Sequence, residues 1–172
     1  MNMAKEQSHI IAAIVEHKPG VLYSVSNMFR RRGFNIESIT VGPTEQGDLA
    51  RMTITVNGDE KVIEQVIKQL NKLIDVVKVS RLDPASIVSR EMALVKVHTS
   101  DARARSDIIN YANIFRARVV DVSPETMMVE ITGDSDKINA FLDLMKPFGV
   151  REMARTGITA LSRGKKSVKI EE

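Results

Sequence analysis

One hydrophobic pattern occurs twice along this chain of 172 residues, and it limits the possible folds more than any other feature. The first occurrence opens with the continuous apolar run IIAAIV from Ile10, which is too short for a helix and rich in β-branched residues. Such a run is typical of a central strand that is covered on both faces. The strands of the second occurrence start roughly 80 residues after their counterparts in the first.

Both halves predict the element order βαββαβ. In the first half, apolar residues recur at helical spacing from Val21 to Phe29, and Gly33 follows three arginines as a helix stop signal. Asp59 is a predicted cap of the second helix. The predicted elements of the first half are strand 10–15, helix 21–32, strands 34–41 and 49–56, helix 62–74 and strand 76–82. Those of the second half are strand 92–97, helix 108–115, strands 118–122 and 127–131, helix 138–145 and a last strand within 150–161.

This order predicts an α+β protein with two ferredoxin-like βαββαβ domains in tandem, each with two helices on one face of a four-stranded antiparallel sheet. We expect the domains to span residues 8–83 and 90–164, with a linker at 84–89 and a solvated basic tail at 165–172. The other face of each sheet is left bare, and both faces of the IIAAIV strand need cover. The pattern therefore predicts at least a homodimer, in which a second copy covers the bare surface.

The composition excludes several classes of function. There is no cysteine, so disulfides and thiolate chemistry are excluded, and the formal charge of +3 gives no overall basic field. The three histidines, His9, His17 and His98, are not at metal-ligand spacing, and no nucleotide-binding or nucleophile motif is present. No signal peptide or membrane span is evident. We expect a cytoplasmic protein that is not an enzyme, with no metal, no cofactor of its own and no membrane partner.

Two basic clusters leave an alternative function open. Arg30, Arg31 and Arg32 end the first helix, where the helix dipole favours cations, and the tail carries Lys165, Lys166 and Lys169. A free-standing, amino-acid-responsive regulator could use them to bind nucleic acid. The sequence lacks a helix-turn-helix segment, however, and aromatic residues make up only 4% of it, so we expect no nucleic-acid partner.

The loop HKPG, residues 17–20, lies between the first strand and the first helix. The first turn of a helix has unpaired backbone N–H groups and partial positive charge, and a glycine lets a ligand approach the backbone closely. Residues 17–22 are therefore a candidate carboxylate site, although Gly and Pro at such a turn can also serve the fold alone. Asn35, past the other end of the helix, offers donors and an acceptor for an amino acid, and an asparagine also suits a turn at this position.

The ends of the first helix are about 20 Å apart, too far for one chain to hold a small amino acid with both. Two copies related by a twofold axis could form such a site together, with the loop of one facing Asn35 of the other.

Several long segments of the chain form a recognisable set. In the first half they are HKPGVL, FRRRGFNIESITVGPTE, RMTI, GDEKVIEQV and LIDVVKVSRLDP; in the second half they are REMALVKV, IFRARVVDVSPE, ITGDSDKINAFL and ARTGITALSRG. Together they resemble the small regulatory subunit of acetohydroxyacid synthase, also called acetolactate synthase. The resemblance covers residues 8 to about 164, with the motifs in the family's order.

The resemblance implies that the first domain is an ACT domain and that the chain activates a separate catalytic subunit without being catalytic itself. It implies feedback inhibition by valine or another branched-chain amino acid bound between two ACT domains. Thiamine diphosphate, FAD and magnesium are expected on the catalytic partner. The effector contacts implied by the family motif are His17, Pro19, Gly20, Val21, Leu22, Asn35 and Ile36.

The loop departs from the family pattern at His17, where many members have asparagine. An imidazole can replace one amide hydrogen bond, with a different geometry and with the capacity to carry a charge.

Overall fold

The computed structural model describes residues 7–168, which form two compact units. Unit 1 holds the described residues up to Val88 together with those from Gly157 onward, and unit 2 is Ser89–Thr156. The helices and strands, in chain order, are β1 (Gln7–Glu16), α1 (Val21–Arg32), β2 (Ser38–Pro43), β3 (Leu49–Gly58), α2 (Glu60–Leu70), β4 (Val76–Leu82), β5 (Ile87–His98), α3 (Ala102–Ile114), β6 (Arg118–Val122), β7 (Thr126–Gly133), α4 (Ser135–Met145), β8 (Val150–Arg155) and β9 (Thr159–Ser162).

The sheet of unit 1 has the strand order β2-β3-β1-β4, and all of its neighbouring strands are antiparallel. Alternate residues of β1 point to opposite faces. Ile11, Ala13 and Val15 of β1 pack against α1 and α2 in one buried cluster, to which Phe29 is the largest contributor from α1. The predicted βαββαβ order and the α+β class are confirmed for this half.

The second face of the same sheet is also buried. Ile10, Ala12 and Ile14, the other side of β1, form a second cluster with Ala160 and Val168 from the end of the chain. The IIAAIV run is therefore covered on both faces, as its composition predicted, but residues of the same chain supply part of the cover that we expected from a second copy.

A segment from Gly157 to Val168, here called the C-terminal segment, provides this cover. Thr40 Oγ1 donates to the carbonyl of Ile158 at 2.9 Å, and Arg51 Nη2 donates to that of Ala160 at 2.8 Å. The backbone N–H of Arg163 donates to Ser86 O at 2.8 Å, and β9, within the segment, pairs with β5. The segment passes so close to β2 that a Cβ on Gly157 would lie 3.1 Å from the Ser38 side chain.

Two expectations for the end of the chain were wrong in detail. The strand predicted within 150–161 is two strands, β8 in unit 2 and β9 in unit 1, separated by residues 156–158. In the predicted basic tail, Lys165, Lys166 and Ser167 are exposed as expected, but Val168 is buried. Lys169 lies outside the described residues.

Unit 2 repeats the architecture of unit 1, with the strand order β6-β7-β5-β8 and antiparallel pairing throughout. Its buried cluster combines alternate residues of β5 and β7 with Ile108 of α3 and Phe141 of α4. Phe115 and Phe141 pack edge to face, with ring centroids 5.5 Å apart. The second βαββαβ unit is confirmed.

Several element boundaries differ from the sequence prediction, among them the following three. β2 begins at Ser38 instead of residue 34, because Phe34 and Ile36 pack on the core from irregular backbone. α2 ends at Leu70, and Ile74, predicted on its apolar face, is 94% exposed. The predicted linker 84–89 contains a short 3-10 turn, Pro84–Ser86, and the first three residues of β5.

Candidate functional site

The helix α1 starts differently from the other three α-helices within residues 7–168. Its N-cap is Gly20, in the left-handed region with φ 90° and ψ −16°, and this cap makes no side-chain hydrogen bond to the first turn. The N-caps of α2, α3 and α4 are Asp59, Asp101 and Asp134, and each carboxylate accepts a backbone N–H bond. The first α1 hydrogen bond runs from Ser24 N–H to Gly20 O at 2.9 Å.

This start leaves the positive end of the α1 dipole without an acidic side chain. There is no Asp or Glu in the first turn of α1, so no carboxylate of the helix itself neutralises the end. The left-handed conformation favours glycine, and no atom beyond its chain neighbours lies within 4 Å of a Cβ built at Gly20. The corner therefore has N–H donors and open space beside them, as an anion requires.

The loop residues predicted to contact an effector lie together at this corner. His17, Pro19, Gly20 and Leu22 are exposed, and the Leu22 side chain is 50% exposed. Val21 instead points into the core and is 3% exposed, so its contribution at the surface is limited to its backbone. The N–H of His17 donates to Asp48 O at 2.7 Å, which ties the loop to the turn before β3.

The positive charge of the loop, on Lys18, is already paired with carboxylates of the same chain. Lys18 Nζ lies 2.7 Å from Asp75 Oδ1 and also pairs with Glu16. Its hydrogen bonds to Asp75 and then to Glu16 raise the pKa of Lys18 above its ordinary value. An anion at this corner would therefore be held by backbone N–H groups rather than by the lysine.

Asn35 and Ile36 lie past the opposite end of α1. The helix ends at Gly33, whose φ is 69° and whose N–H donates to Arg30 O, as the stop signal predicted. Asn35 is exposed and Ile36 is half-buried against the core. A helix of 12 residues is about 18 Å long, so one chain does not bring Asn35 to the Gly20 corner. The structure thus groups five of the seven predicted residues and separates two.

Other candidate sites find little support in the described part of the chain. Across residues 7–168, no group of three or more His, Asp or Glu side chains is arranged to hold a metal ion. No helix in the same range is long and apolar enough to cross a membrane. Arg30, Arg31 and Arg32 occupy the last turn of α1, where the helix dipole accounts for them.

One feature was missed by sequence reasoning. A cavity of about 500 Å³ in unit 1 lies between the β2–β3 hairpin and the C-terminal segment, and Arg51 lines it. In β3, Arg51, Thr53 and Thr55 alternate with apolar residues, as in a strand with one side facing solvent, but Thr53 is 1% and Thr55 3% exposed. The sequence did indicate that this face is covered, because the residues of β1 are apolar on both faces of the sheet.

The chain matches two family profiles that together cover most of its length. Residues 11–78 match "AHAS small subunit-like ACT domain", and residues 90–164 match "Small subunit of acetolactate synthase". The "Probable acetolactate synthase small subunit" of Methanothermobacter thermautotrophicus is 60% identical over 161 residues, covering 94% of this chain and 96% of the relative. The "Acetolactate synthase small subunit" of Aquifex aeolicus is 50% identical over 166 residues, covering 96% and 86%.

A solved structure agrees with these sequence matches. The crystal structure of the acetolactate synthase small subunit from Thermotoga maritima superposes with a TM-score of 0.87 at 46% identity, and the match covers 93% of this chain and 99% of that one. The predicted ACT domain and the resemblance read from the motifs are confirmed. This chain belongs to the acetolactate synthase small-subunit family.

Proposed function

We propose that this chain is a non-catalytic regulatory subunit of acetohydroxyacid synthase that activates the catalytic subunit and confers feedback inhibition by valine or another branched-chain amino acid. Family membership supports the enzyme assignment. The observation that carries the effector assignment is the start of α1, where Gly20 leaves backbone N–H groups uncapped beside open space. Thiamine diphosphate, FAD and magnesium belong to the catalytic partner in this proposal.

The α1 corner suits the carboxylate end of an amino acid. Backbone N–H groups at a helix start bind a carboxylate without a competing side chain, as they do for other anions. The half-exposed Leu22 beside them offers apolar surface to an aliphatic side chain. His17, Pro19, Gly20, Val21 and Leu22 form this half of the proposed site.

The other half of the proposed site comes from a second copy of the chain. Asn35 and Ile36 lead into β2, which is an edge strand of the unit 1 sheet. An edge strand has unpaired N–H and C=O groups, and its pairing with β2 of a second copy would bring Asn35 of one chain towards the α1 corner of the other. The Asn35 amide would then bond the ammonium and carboxylate groups of the effector. Effector binding and dimer formation are coupled in this arrangement.

Inhibition follows if the effector binds one conformation of the assembled synthase more tightly than another. Only the difference in affinity can shift that equilibrium, and in allosteric systems it is typically about 1–3 kcal/mol. Valine bound between two ACT domains would restrain their relative arrangement and, through it, the attached catalytic subunits.

A charge placed at the corner tests the proposal. We expect Gly20→Asp to activate an acetolactate synthase catalytic subunit as the wild type does but to abolish valine inhibition, because the new carboxylate occupies the place of the effector's own. Gly20→Asn is the matched control, since asparagine has nearly the same shape as aspartate and tolerates the left-handed conformation but lacks the charge. The measurement is acetolactate formation by the reconstituted enzyme over a valine titration.

Two results would contradict the proposal. Valine inhibition that survives Gly20→Asp would exclude the α1 corner as the effector site. An absence of activation by the wild-type chain, with a catalytic subunit that a known small subunit activates, would exclude the regulatory assignment itself.

A further inference from the structure

We propose that unit 1 contains a second ligand site, for a small aliphatic carboxylate, in the cavity beneath the C-terminal segment. The cavity is separate from the α1 corner in its lining, since none of the seven proposed effector contacts lines it. It therefore goes beyond the proposed function and can be tested without it.

The cavity has the size and the composition of a small-molecule site. Its volume of about 500 Å³ falls in the range of roughly 300–1,000 Å³ that is usual for ligand pockets. Apolar side chains line part of it, hydroxyl and amide groups line another part, and the charged residues Glu45, Arg51 and Lys166 complete the lining. The lining residues that the argument uses are Ile14, Leu49, Leu161 and Val168 for the apolar part, and Arg51 and Lys166 for the charge.

Arg51 is the residue that indicates an anionic ligand. Its Nη2 donates to Ala160 O at 2.8 Å, while its Nε is buried and has no hydrogen-bond partner among residues 7–168. Burial lowers the pKa of Arg51, and the attraction of Glu45 opposes this effect without cancelling it. Burial therefore disfavours the charged form of Arg51 more than Glu45 favours it, and a bound anion would stabilise the charged form.

A carboxylate with an aliphatic body fits this environment better than a bare anion. An arginine fork binds a carboxylate through charged hydrogen bonds, and Lys166 supplies a second cation at the cavity wall. The aliphatic side chains of β1, β3 and the C-terminal segment would bury the hydrocarbon part of the ligand. The ligand would also join the segment to the hairpin, because both line the same cavity.

Hexanoate is a suitable probe because it carries the carboxylate and an aliphatic chain but no ammonium group. The experiment titrates the full chain with hexanoate, with neutral hexanamide and with inorganic phosphate, and follows the Arg51 Nε–H resonance by NMR. That resonance is assigned by its loss in Arg51→Lys. We expect saturable binding of hexanoate, no saturable binding of hexanamide, and weaker binding of phosphate.

Two variants and a control locate the binding. Arg51→Gln removes the charge, and hexanoate binding to this variant is measured from backbone amide chemical shifts. We expect binding to weaken roughly tenfold or more, because a charged hydrogen bond is lost. Leu161→Trp fills the cavity from a residue that is 59% exposed, so it should block hexanoate without unfolding the unit. Arg81→Gln removes a different arginine of the same sheet, one paired with Glu60, and should bind hexanoate as the wild type does.

Several results would overturn the proposal. These are no saturable hexanoate binding, equal binding of hexanamide or phosphate, or unchanged binding in Leu161→Trp. A variant with both Glu171→Gln and Glu172→Gln controls for the carboxylates of these two residues. Binding seen only with that variant would assign the cavity to the chain itself and would also overturn the proposal.

Discussion

Two glycines occupy equivalent positions in the two units, each at the end of a strand and directly before a capping aspartate. Gly58 ends β3 before Asp59, which accepts Val62 N–H at 2.9 Å, and Gly133 ends β7 before Asp134, which accepts Lys137 N–H at 2.9 Å. A Cβ on Gly58 would lie 2.7 Å from Val62 Cγ1 and 2.9 Å from Val62 Cβ. At Gly133 the nearest atom would be Lys137 Cδ, at 2.6 Å.

Alanine at these two positions should have unequal effects. Val62 is branched at Cβ and cannot turn away, so Gly58→Ala should displace the first turn of α2 and lower the free energy of unfolding by about 1–3 kcal/mol. Gly133→Ala meets a flexible lysine and should cost less than about 1 kcal/mol. Urea denaturation of both variants measures the difference, and equal losses would contradict this account.

At the residue scale, the sequence predicted those residues whose structural role depends only on their neighbours along the chain. The cap Asp59, the stop at Gly33 and the exposed loop before α1 depend on neighbours within a few residues, and the structure has them where expected. The role of Arg51 was not predicted, because it depends on Ala160, which is 109 positions away along the chain. Its alternation in β3 is the same as that of a solvent-facing residue.

At the scale of elements, a buried ion pair joins β5 to β8. Glu91 is 6% exposed, and it accepts hydrogen bonds from Arg155 Nε at 2.5 Å and from Ser135 Oγ at the start of α4. Arg155 also donates to Asn139 of α4 at 2.7 Å. The exposed pair between Lys96 and Glu152 joins the same two strands.

Removing one partner of the buried pair should be far more damaging than removing one partner of the exposed pair. Arg155→Met leaves a buried carboxylate with only a hydroxyl partner, and we expect it to lower the free energy of unfolding by about 3–5 kcal/mol. Lys96→Met, the matched control, should cost less than about 1 kcal/mol. Adding Glu91→Met to Arg155→Met should recover much of the loss. The account fails if thermal unfolding shows the two single variants to be equally stable.

The order of elements was predictable, and some of their boundaries were not. Hydrophobic periodicity gave the βαββαβ order of both units, because the buried faces repeat every two or 3.6 residues. Phe34 and Ile36 looked like a strand because they are apolar, yet they reach the core from irregular backbone. The strand expected within 150–161 is divided because the chain leaves unit 2 after Thr156, and no local signal marks that crossing.

At the scale of the whole molecule, one chain carries two units with the same architecture but different cover on their sheets. In unit 1 both faces of the sheet are buried, by α1 and α2 on one side and by the C-terminal segment on the other. In unit 2 a single buried cluster lies between the sheet and α3 and α4. The return of the chain to unit 1 after Thr156 thus gives the ACT sheet a cover that the sequence pattern assigned to a second copy.

The central claim is that the effector site is shared, with the α1 corner of one chain and Asn35 of another. In a homodimer of Gly20→Asp, the α1 corner is defective at both shared sites. In a homodimer of Asn35→Ala, both shared sites lack the Asn35 side chain. Neither homodimer should therefore bind valine. A mixed dimer of the two variants should contain one site with both defects and one site with neither.

Calorimetric titration of purified mixed dimers with valine is the most direct test. The two variants are co-expressed with different affinity tags and isolated by two successive purifications. The account predicts that the mixed dimer binds roughly half as much valine as the wild-type dimer, with wild-type affinity. Mixed dimers that bind no valine, like both parents, would contradict the shared site.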